Sequence, residues 1–414
     1  MIPVRQHVPG KPLRDVGSAV RRELASSGIF AGIKPGARIG VAVGSRGVAN
    51  VPVITATVVR DLKAAGAKPV ILPAMGSHGG ATPEGQTAVL ASLGVTTETV
   101  GAPILASMAV EQIGHTKEGV PIWWSREALK CEGVVIINRI KSHTDFRGPF
   151  ESGLMKMIAV GLGKRAGAHA LHSRRVPGLA HHMPEVAREV IRRGHILGGV
   201  ALIENGEGET VQVRAVRGAE IPLVEPTLLK AAKRIAPRLP FDELDALVVD
   251  WMGKEISGIG MDPIVIGRMR MPGEMPEFRR PRIRNITALR LTPASKGNVL
   301  GVGFCEFIPR ALYESIDWDA FRANSMTSGF LERTKVPFVM DSDREAIECV
   351  AAIGQCLPPE RLRILRIRDT SHVREMWISP ALEAEARRLG MEIHGPARRL
   401  RFDDAGNLVD LSSR

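Results

Sequence analysis

Residues 133–143 read GVVIINRIKSH, and this stretch decides the fold class. Residues 133–140 are mostly apolar and rich in β-branched side chains, which predicts a strand over these residues that is buried on both faces. The strand ends directly in Lys141, Ser142 and His143. Because open α/β sheets bind ligands outside the carboxyl ends of their strands, these polar residues are candidates for a functional site.

Strands and amphipathic helices alternate before this segment. Strands are predicted at 38–43 and 69–73, and helices at 15–26, 51–65 and 83–93. This alternation is typical of a mainly parallel sheet covered by helices. The glycine-containing segments 44–47 and 76–80 follow the two earlier strands, so we expect them at the same edge of the sheet as Lys141.

A second α/β region is predicted after a linker at 236–240, which contains two prolines. A helix is predicted before the linker at 226–235. Strands are predicted after it at 244–249, 288–291 and 363–367, and helices at 309–315, 343–353 and 380–389. We therefore predict an α/β protein of two domains with mainly parallel sheets, residues 1–238 and 239–414. The active site is expected in the cleft between these domains.

Composition limits the classes of function. The chain has 414 residues, 44% apolar and 24% charged, as in a folded globular protein. Its formal charge of +12 is compatible with an anionic partner, but the basic residues are scattered and aromatic residues make up only 4%. These features argue against nucleic acid as that partner.

The cysteines and the hydropathy pattern indicate the compartment. Cys131, Cys305, Cys349 and Cys356 form no CxxC pair, so neither a zinc ribbon nor a disulfide framework is predicted. The first residues contain no apolar signal core, and no stretch approaches the ~18 apolar residues of a membrane span. We expect a cytoplasmic protein with no membrane segment.

Two segments carry residues suited to chemistry, each with an ordinary structural alternative. Gly76-Ser77-His78-Gly79-Gly80 is suited to an anion beside an imidazole, or it is a tight turn with an exposed histidine. Lys156 stands among apolar neighbours, where desolvation would lower its pKa and favour a nucleophilic amine. The alternative is a lysine on a half-exposed helix whose ammonium group reaches solvent. His169 and His172 are spaced to share a helix face, either as metal ligands or as surface residues.

The order of these residues resembles the nickel-pincer lactate racemase family. The resemblance rests on Arg46 after a strand, Gly-Ser-His at 76–78 before a helix, Ser142-His143, Lys156, and a histidine 16 residues after that lysine, His172. It covers most of the first ~240 residues. The family pattern Asp-x-Thr-Arg-Pro reads Val-Gly-Ser-Arg-Gly at 43–47, so the acid is absent and serine replaces threonine.

The resemblance implies a cofactor and its ligands. The cofactor is the nickel-pincer nucleotide, a pyridinium-3-thioamide-5-thiocarboxylic acid mononucleotide that holds Ni(II) in a square plane. Lys156 would be its point of attachment and His172 the ligand to nickel. The remaining residues implied to contact the cofactor are Ser45, Arg46, Gly76 and Ser77.

The resemblance also implies an isomerase that inverts C2 of a 2-hydroxy acid. His78 and His143 would be the acid/base pair, with hydride passing between C2 and the cofactor, and Arg46 would bind the substrate carboxylate. The second domain lacks the family's Gln-x-x-Lys clamp and has Lys254 and Arg268 as candidate substrate contacts. The substrate would be a lactate-like acid or a larger, more polar one such as a sugar acid, and a loop with these polar residues suits the larger acid better than lactate itself.

Partners and alternatives follow from the same resemblance. The expected partners are the small-molecule acid and the enzymes that make the cofactor, and the sequence leaves a homo-oligomer open. The alternative function is a non-catalytic homologue of this fold that binds a nucleotide or anion. A nicotinamide dehydrogenase is disfavoured because no GxGxxG fingerprint is present.

Overall fold

The computed structural model describes residues 1–353, 357–409 and 411, so Cys356 lies outside the described residues. The chain forms two compact units. The N-terminal unit is Gly10–Ala236, and the C-terminal unit consists of Met1–Pro9 together with Pro237–Arg414. Among the described residues, no helix is both long enough and apolar enough to cross a bilayer.

The strands and helices are as follows. The strands are β1 (Ile2–Arg5), β2 (Arg38–Val43), β3 (Lys68–Pro73), β4 (Val110–His115), β5 (Pro121–Ser125), β6 (Gly133–Arg139), β7 (Ile196–Glu204), β8 (Thr210–Arg217), β9 (Glu243–Met252), β10 (Arg282–Leu291), β11 (Phe307–Pro309), β12 (Phe338–Met340), β13 (Ile364–Asp369), β14 (His372–Ile378) and β15 (Glu392–Ile393). The α-helices are α1 (Val16–Ser27), α2 (Val51–Ala64), α3 (Pro83–Ser92), α4 (Thr97–Val100), α5 (Arg126–Leu129), α6 (Leu154–Lys156), α7 (Lys164–His172), α8 (Arg175–Pro177), α9 (Met183–Arg192), α10 (Ile221–Ile235), α11 (Pro263–Ile266), α12 (Arg310–Glu314), α13 (Trp318–Ser328), α14 (Asp343–Ala352) and α15 (Glu383–Arg388).

The N-terminal unit is built on a sheet of order β3-β2-β6-β7-β8. The first four of these strands pair in parallel, and β8 adds an antiparallel edge through its hairpin with β7. Val134 and Ile136 of β6 lie in one apolar core, while Val135 and Ile137 lie in another. Alternate side chains of β6 thus fill cores on both faces of the sheet, as its continuous apolar run predicts.

The helical segment after β6 is irregular. Between α6 and α7, Met157–Gly161 forms a π-helical turn, in which the N–H of Leu162 donates to the Met157 carbonyl at 3.0 Å. Lys164 then has a φ of +53°, which is uncommon for a residue with a side chain. A second π-helical turn, Gly178–His182, precedes α9. These turns and the positive φ at Lys164 interrupt what would otherwise be one long helix.

The C-terminal unit contains a sheet of order β12-β11-β10-β9-β13-β14-β1-β15. Strands from β12 to β13 pair in parallel, and the remaining pairs are antiparallel. Its central strand β9 is also buried on both faces, with Leu247 in one apolar core and Val248 in another. Both units therefore have the predicted α/β class, with mainly parallel sheets covered by helices.

Most of the predicted helices and strands are present, but several begin or end at residues other than those predicted. The helix predicted at 226–235 begins earlier, at Ile221, and contains Pro226 in its interior. The strands predicted at 244–249 and 288–291 extend over Glu243–Met252 and Arg282–Leu291. The helix predicted at 380–389 is a 3₁₀ turn followed by the shorter α15.

Candidate active site

The loops after β2 and β3 meet at the carboxyl edge of the N-terminal sheet. The Ser45 hydroxyl is hydrogen-bonded to Nδ1 of His78. The N–H of Gly76 donates to the Gly161 carbonyl at 3.1 Å, in the first π-helical turn. Gly76 has a φ of +59°, and a Cβ there would lie 3.4 Å from the Val160 carbonyl. The structure therefore joins Ser45, Gly76 and His78 to the helical segment that follows Lys156.

A buried carboxylate holds the His143 loop in place. Glu151 is almost fully buried and accepts a hydrogen bond of 2.8 Å from the His143 N–H. The Lys233 ammonium donates to the other oxygen of the same carboxylate at 2.6 Å. Lys141 and Ser152 exchange two backbone hydrogen bonds, which close the base of the loop. The position of His143 is thus fixed by its backbone as well as by its ring.

The hydrogen bonds of the His143 ring define its tautomer. The N–H of Asp145 donates to His143 Nδ1 at 3.1 Å, so Nδ1 carries a lone pair and the ring proton is on Nε2. Nε2 is hydrogen-bonded to Nζ of Lys156. In this tautomer the Nε2–H donates to the Lys156 nitrogen when that amine is uncharged. Burial, followed by the charges of Lys156 and His172, holds the pKa of His143 well below 6.5, which favours the same neutral ring.

Lys156 is an amine whose charge is weakened by its surroundings. Burial lowers its pKa from 10.5 to about 8; the charges of Arg46 and Lys141 lower it further, whereas Asp145 opposes them. Near pH 8, a large fraction of this amine is therefore uncharged and nucleophilic. The influence of Arg46 on this pKa also shows that the guanidinium acts on the same site.

His172 presents one ring nitrogen as a lone-pair donor. Its Nδ1–H donates to the Ala168 carbonyl at 2.7 Å, so in the neutral ring the lone pair is on Nε2. Part of the His172 surface is exposed to solvent. Desolvation by the surrounding protein is nevertheless the main cause that lowers its pKa, and the charge of Lys156 is the second. A neutral imidazole held by a backbone carbonyl is the usual arrangement of a metal-ligating histidine.

The other predicted residues of this edge are solvent-facing. Arg46 and Ser77 lie on the loops after β2 and β3 and have solvent-exposed surface. Nearby protein atoms still desolvate the Arg46 guanidinium enough to lower its pKa. His169 is likewise exposed. The structure therefore brings His143, Lys156 and His172 into one electrostatically coupled group, with Arg46 acting on Lys156 and Ser45 bonded to His78.

Two supporting residues were missed by the sequence analysis. Lys164 is 2% exposed, and its Nζ donates to the Pro73 carbonyl and, at 2.9 Å, to Oε1 of Gln86. The Gln86 amide in turn donates to the Gly76 carbonyl at 3.0 Å and to the His78 carbonyl at 3.4 Å. This buried chain connects α7, which carries His172, to the loop that carries His78.

The predicted substrate contacts of the C-terminal unit differ in their surroundings. Lys254 is exposed, and its Nζ lies 3.4 Å from the Asn324 amide oxygen. Arg268 is buried instead. Its guanidinium donates to Glu306 at 2.7 Å and to the carbonyls of Phe304, Ile283 and Arg284. These contacts occupy the guanidinium group, so we leave Arg268 out of the proposed site.

The fold and the site define a two-unit α/β protein with a lysine–histidine group at the carboxyl edge of its first sheet. Residues 10–181 match the family described as the lactate racemase N-terminal domain. The predicted resemblance to the lactate racemase family is thereby confirmed for this part of the chain. No protein among curated sequences matches.

A solved structure with a similar fold is the lactate racemase apoprotein from Thermoanaerobacterium thermosaccharolyticum. The TM-score is 0.53 at 13% sequence identity, and the alignment covers 89% of this chain and 94% of the other. At this identity the likeness concerns the fold, which extends over both units.

Proposed function

We propose that this chain is a racemase or epimerase that inverts C2 of a 2-hydroxy acid. The observation that carries the proposal is the group of His143, Lys156 and His172, in which burial favours the uncharged form of the amine and of both imidazoles. Binding of a nucleotide or anion alone requires positive charge, and this arrangement suppresses it at Lys156 and His143. We therefore favour the enzyme over the non-catalytic homologue.

The residues fit a nickel-pincer nucleotide in their donor chemistry. The uncharged amine of Lys156 is suited to a covalent link, and Nε2 of His172 offers the lone pair that a nickel ion takes from an imidazole. A Cβ at Gly47 or Gly80 would meet no atom within 4 Å, so there is open space beside the loops of Arg46 and His78. When bound, the cofactor would supply a hydride acceptor and donor for C2.

In this proposal the chain itself moves protons and orients the acid. Arg46 binds the substrate carboxylate with its planar guanidinium group. His143 and His78 exchange the proton of the C2 hydroxyl, one in each direction of the reaction. The low pKa of His143 keeps its ring neutral before the substrate binds.

A C2-deuterated substrate tests the proposal. The protein is produced together with the cofactor-making enzymes, and both C2 isomers of lactate and of a panel of sugar acids are supplied. We expect the inverted product to keep most of its deuterium. His78→Gln and His143→Gln should each slow both directions by ~10²-fold or more. The matched control is His169→Gln, an exposed imidazole on the same helix as His172, and it should react at the parent rate.

Nickel content provides a second readout on the same preparations. We expect about one nickel per chain, lost in large part from His172→Ala but not from His169→Ala. Rapid exchange of the C2 deuterium with water would show direct proton abstraction and refute the hydride scheme. Full nickel retention in His172→Ala would remove His172 from the metal site.

A further inference from the structure

A separate cluster of one imidazole and two carboxylates lies in the N-terminal unit. Glu118 is in the turn between β4 and β5, His182 ends the second π-helical turn, and Glu185 is in the first turn of α9. One ligand atom from each residue lies within 4.8 Å of the other two. Nδ1 of His182 is 3.3 Å from Oε2 of Glu118 and 3.6 Å from Oε2 of Glu185.

Two atoms of this cluster are buried without hydrogen bonds. Among the described residues, Nδ1 of His182 and Oε2 of Glu185 are both shielded from solvent and neither has a hydrogen-bond partner. Such buried polar atoms are costly unless something else satisfies them. The two atoms lie 3.6 Å apart, and Oε2 of Glu118 lies 3.3 Å from the imidazole nitrogen.

The distances within the cluster fit a shared cation better than a direct hydrogen bond. A charged imidazole N–H···carboxylate bond spans about 2.7–2.9 Å, which is shorter than both observed separations. Ligand atoms placed about 2.1 Å from zinc at the corners of a tetrahedron are roughly 3.4 Å apart, close to the observed 3.3 and 3.6 Å. The two separations from the imidazole therefore match those between ligands of a tetrahedral metal ion, and the third lies within 4.8 Å.

We propose that Glu118, His182 and Glu185 bind a divalent transition-metal ion, zinc in particular, at a site independent of the Lys156 and His172 group. One nitrogen and two carboxylate oxygens are a ligand set that zinc accepts, with a fourth position for water. Magnesium and calcium disfavour the imidazole. This inference does not rest on the proposed racemase function.

The ion would join parts of the chain that are distant in sequence. It would connect the β4–β5 turn to the start of α9. The β4–β5 hairpin also packs against α7, the helix that carries His172. A Cβ at Gly163 or Gly167 would lie 3.2 or 3.8 Å from the Trp123 carbonyl in β5. The bound metal would thus stabilise the hairpin that packs against α7.

Zinc titration of the full chain tests the site. The protein is made without the cofactor enzymes, stripped with a chelator, and titrated with Zn²⁺ alone against a chromophoric zinc chelator. His172→Ala is used as the parent, so that the other candidate metal ligand does not contribute. We expect about one zinc per chain, and at least ~10-fold weaker binding in His182→Ala and Glu185→Gln.

Two further variants make the test decisive. Glu118 is in an exposed turn, so Glu118→Gln should leave the fold intact, as circular dichroism will show, and still weaken zinc binding several-fold. The matched control, His181→Ala, removes the exposed neighbouring imidazole and should bind zinc as the parent does. The proposal is overturned if the parent binds no zinc, if Glu118→Gln and His182→Ala both bind it unchanged, or if His181→Ala loses it equally.

Discussion

Lys164 is an ammonium group buried among neutral acceptors, and its replacement should change how stability depends on pH. Burial lowers its pKa from 10.5 to about 8. The difference corresponds to a proton bound about 3 kcal/mol more weakly in the folded chain than in the unfolded chain. Between pH 8 and 10.5 the unfolded chain still holds the proton that the folded chain has released. The free energy of unfolding therefore rises with pH across this window by up to about 3 kcal/mol.

The variant Lys164→Met has a side chain of similar length and no proton to release. Its stability relative to the parent should therefore fall as the pH rises from 7.5 to 10.5, by about 3 kcal/mol. The sign of the difference at pH 7.5 is a separate matter, because methionine relieves a buried charge and also leaves the acceptors Pro73 and Gln86 unpaired.

Urea unfolding followed by circular dichroism, repeated at several pH values, measures this difference. Lys156 has a similarly lowered pKa, but it is present in both proteins, so its contribution cancels. Lys68→Met, at the exposed start of β3, is the matched control and should show no trend relative to the parent. A difference between Lys164→Met and the parent that stays constant from pH 7.5 to 10.5 would refute the reasoning.

Two further predictions concern the residues around His143. An amine-acylating reagent at pH 8 should modify Lys156 roughly 10-fold faster than a lysine of ordinary pKa, because ~100-fold more of its amine is uncharged while an amine of lower pKa is a weaker nucleophile. Peptide mass spectrometry of the protein without cofactor will measure this rate. Glu151→Ala removes the acceptor of the His143 N–H and the Lys233 ammonium, and should lower the free energy of unfolding by about 3 kcal/mol in urea melts. Glu151→Gln keeps an acceptor and should lose less, and equal losses in the two variants would contradict this role.

The parts of the fold that could be predicted are those whose residues are buried in continuous runs. Strand β6 was predicted nearly to the residue, because both of its faces are apolar. Strands β9 and β10 were predicted too short, because polar residues interrupt their apolar runs: the buried Asp250 near the end of β9, and Arg282 and Asn285 in the first half of β10. Hydrophobicity marks the buried middle of a strand, whereas pairing with a neighbour decides its ends.

The site shows a different limit of sequence reasoning. In a straight α-helix, 16 residues place Lys156 and His172 ~160° apart around the axis, on nearly opposite sides. The π-helical turn and the positive φ of Lys164 bring them into one electrostatic group. Local propensity gives little warning of either irregularity. The family resemblance predicted that Lys156 and His172 belong to one site, whereas helix periodicity could not have done so.

Long-range partners set a further limit. Arg268 was a reasonable substrate contact as an isolated residue in a polar loop. Its ion pair with Glu306 and its bonds to buried carbonyls depend on tertiary packing. The same is true of Lys164 and Gln86, whose contact joins residues 78 positions apart. No local pattern distinguishes such residues from ordinary surface charges.

Strand β1 makes the completion of the C-terminal unit depend on the order of synthesis. Its buried residues Ile2 and Val4 are made before the N-terminal unit, but their partners β14 and β15 are made only after residue 371. During translation the whole N-terminal unit can fold before β1 has a partner strand. A fragment that begins at Pro237 lacks the strand between β14 and β15 and exposes the apolar edge it covers. A separately produced C-terminal unit should therefore include residues 1–9, for example fused to its C-terminal end through a linker, as in a circular permutant.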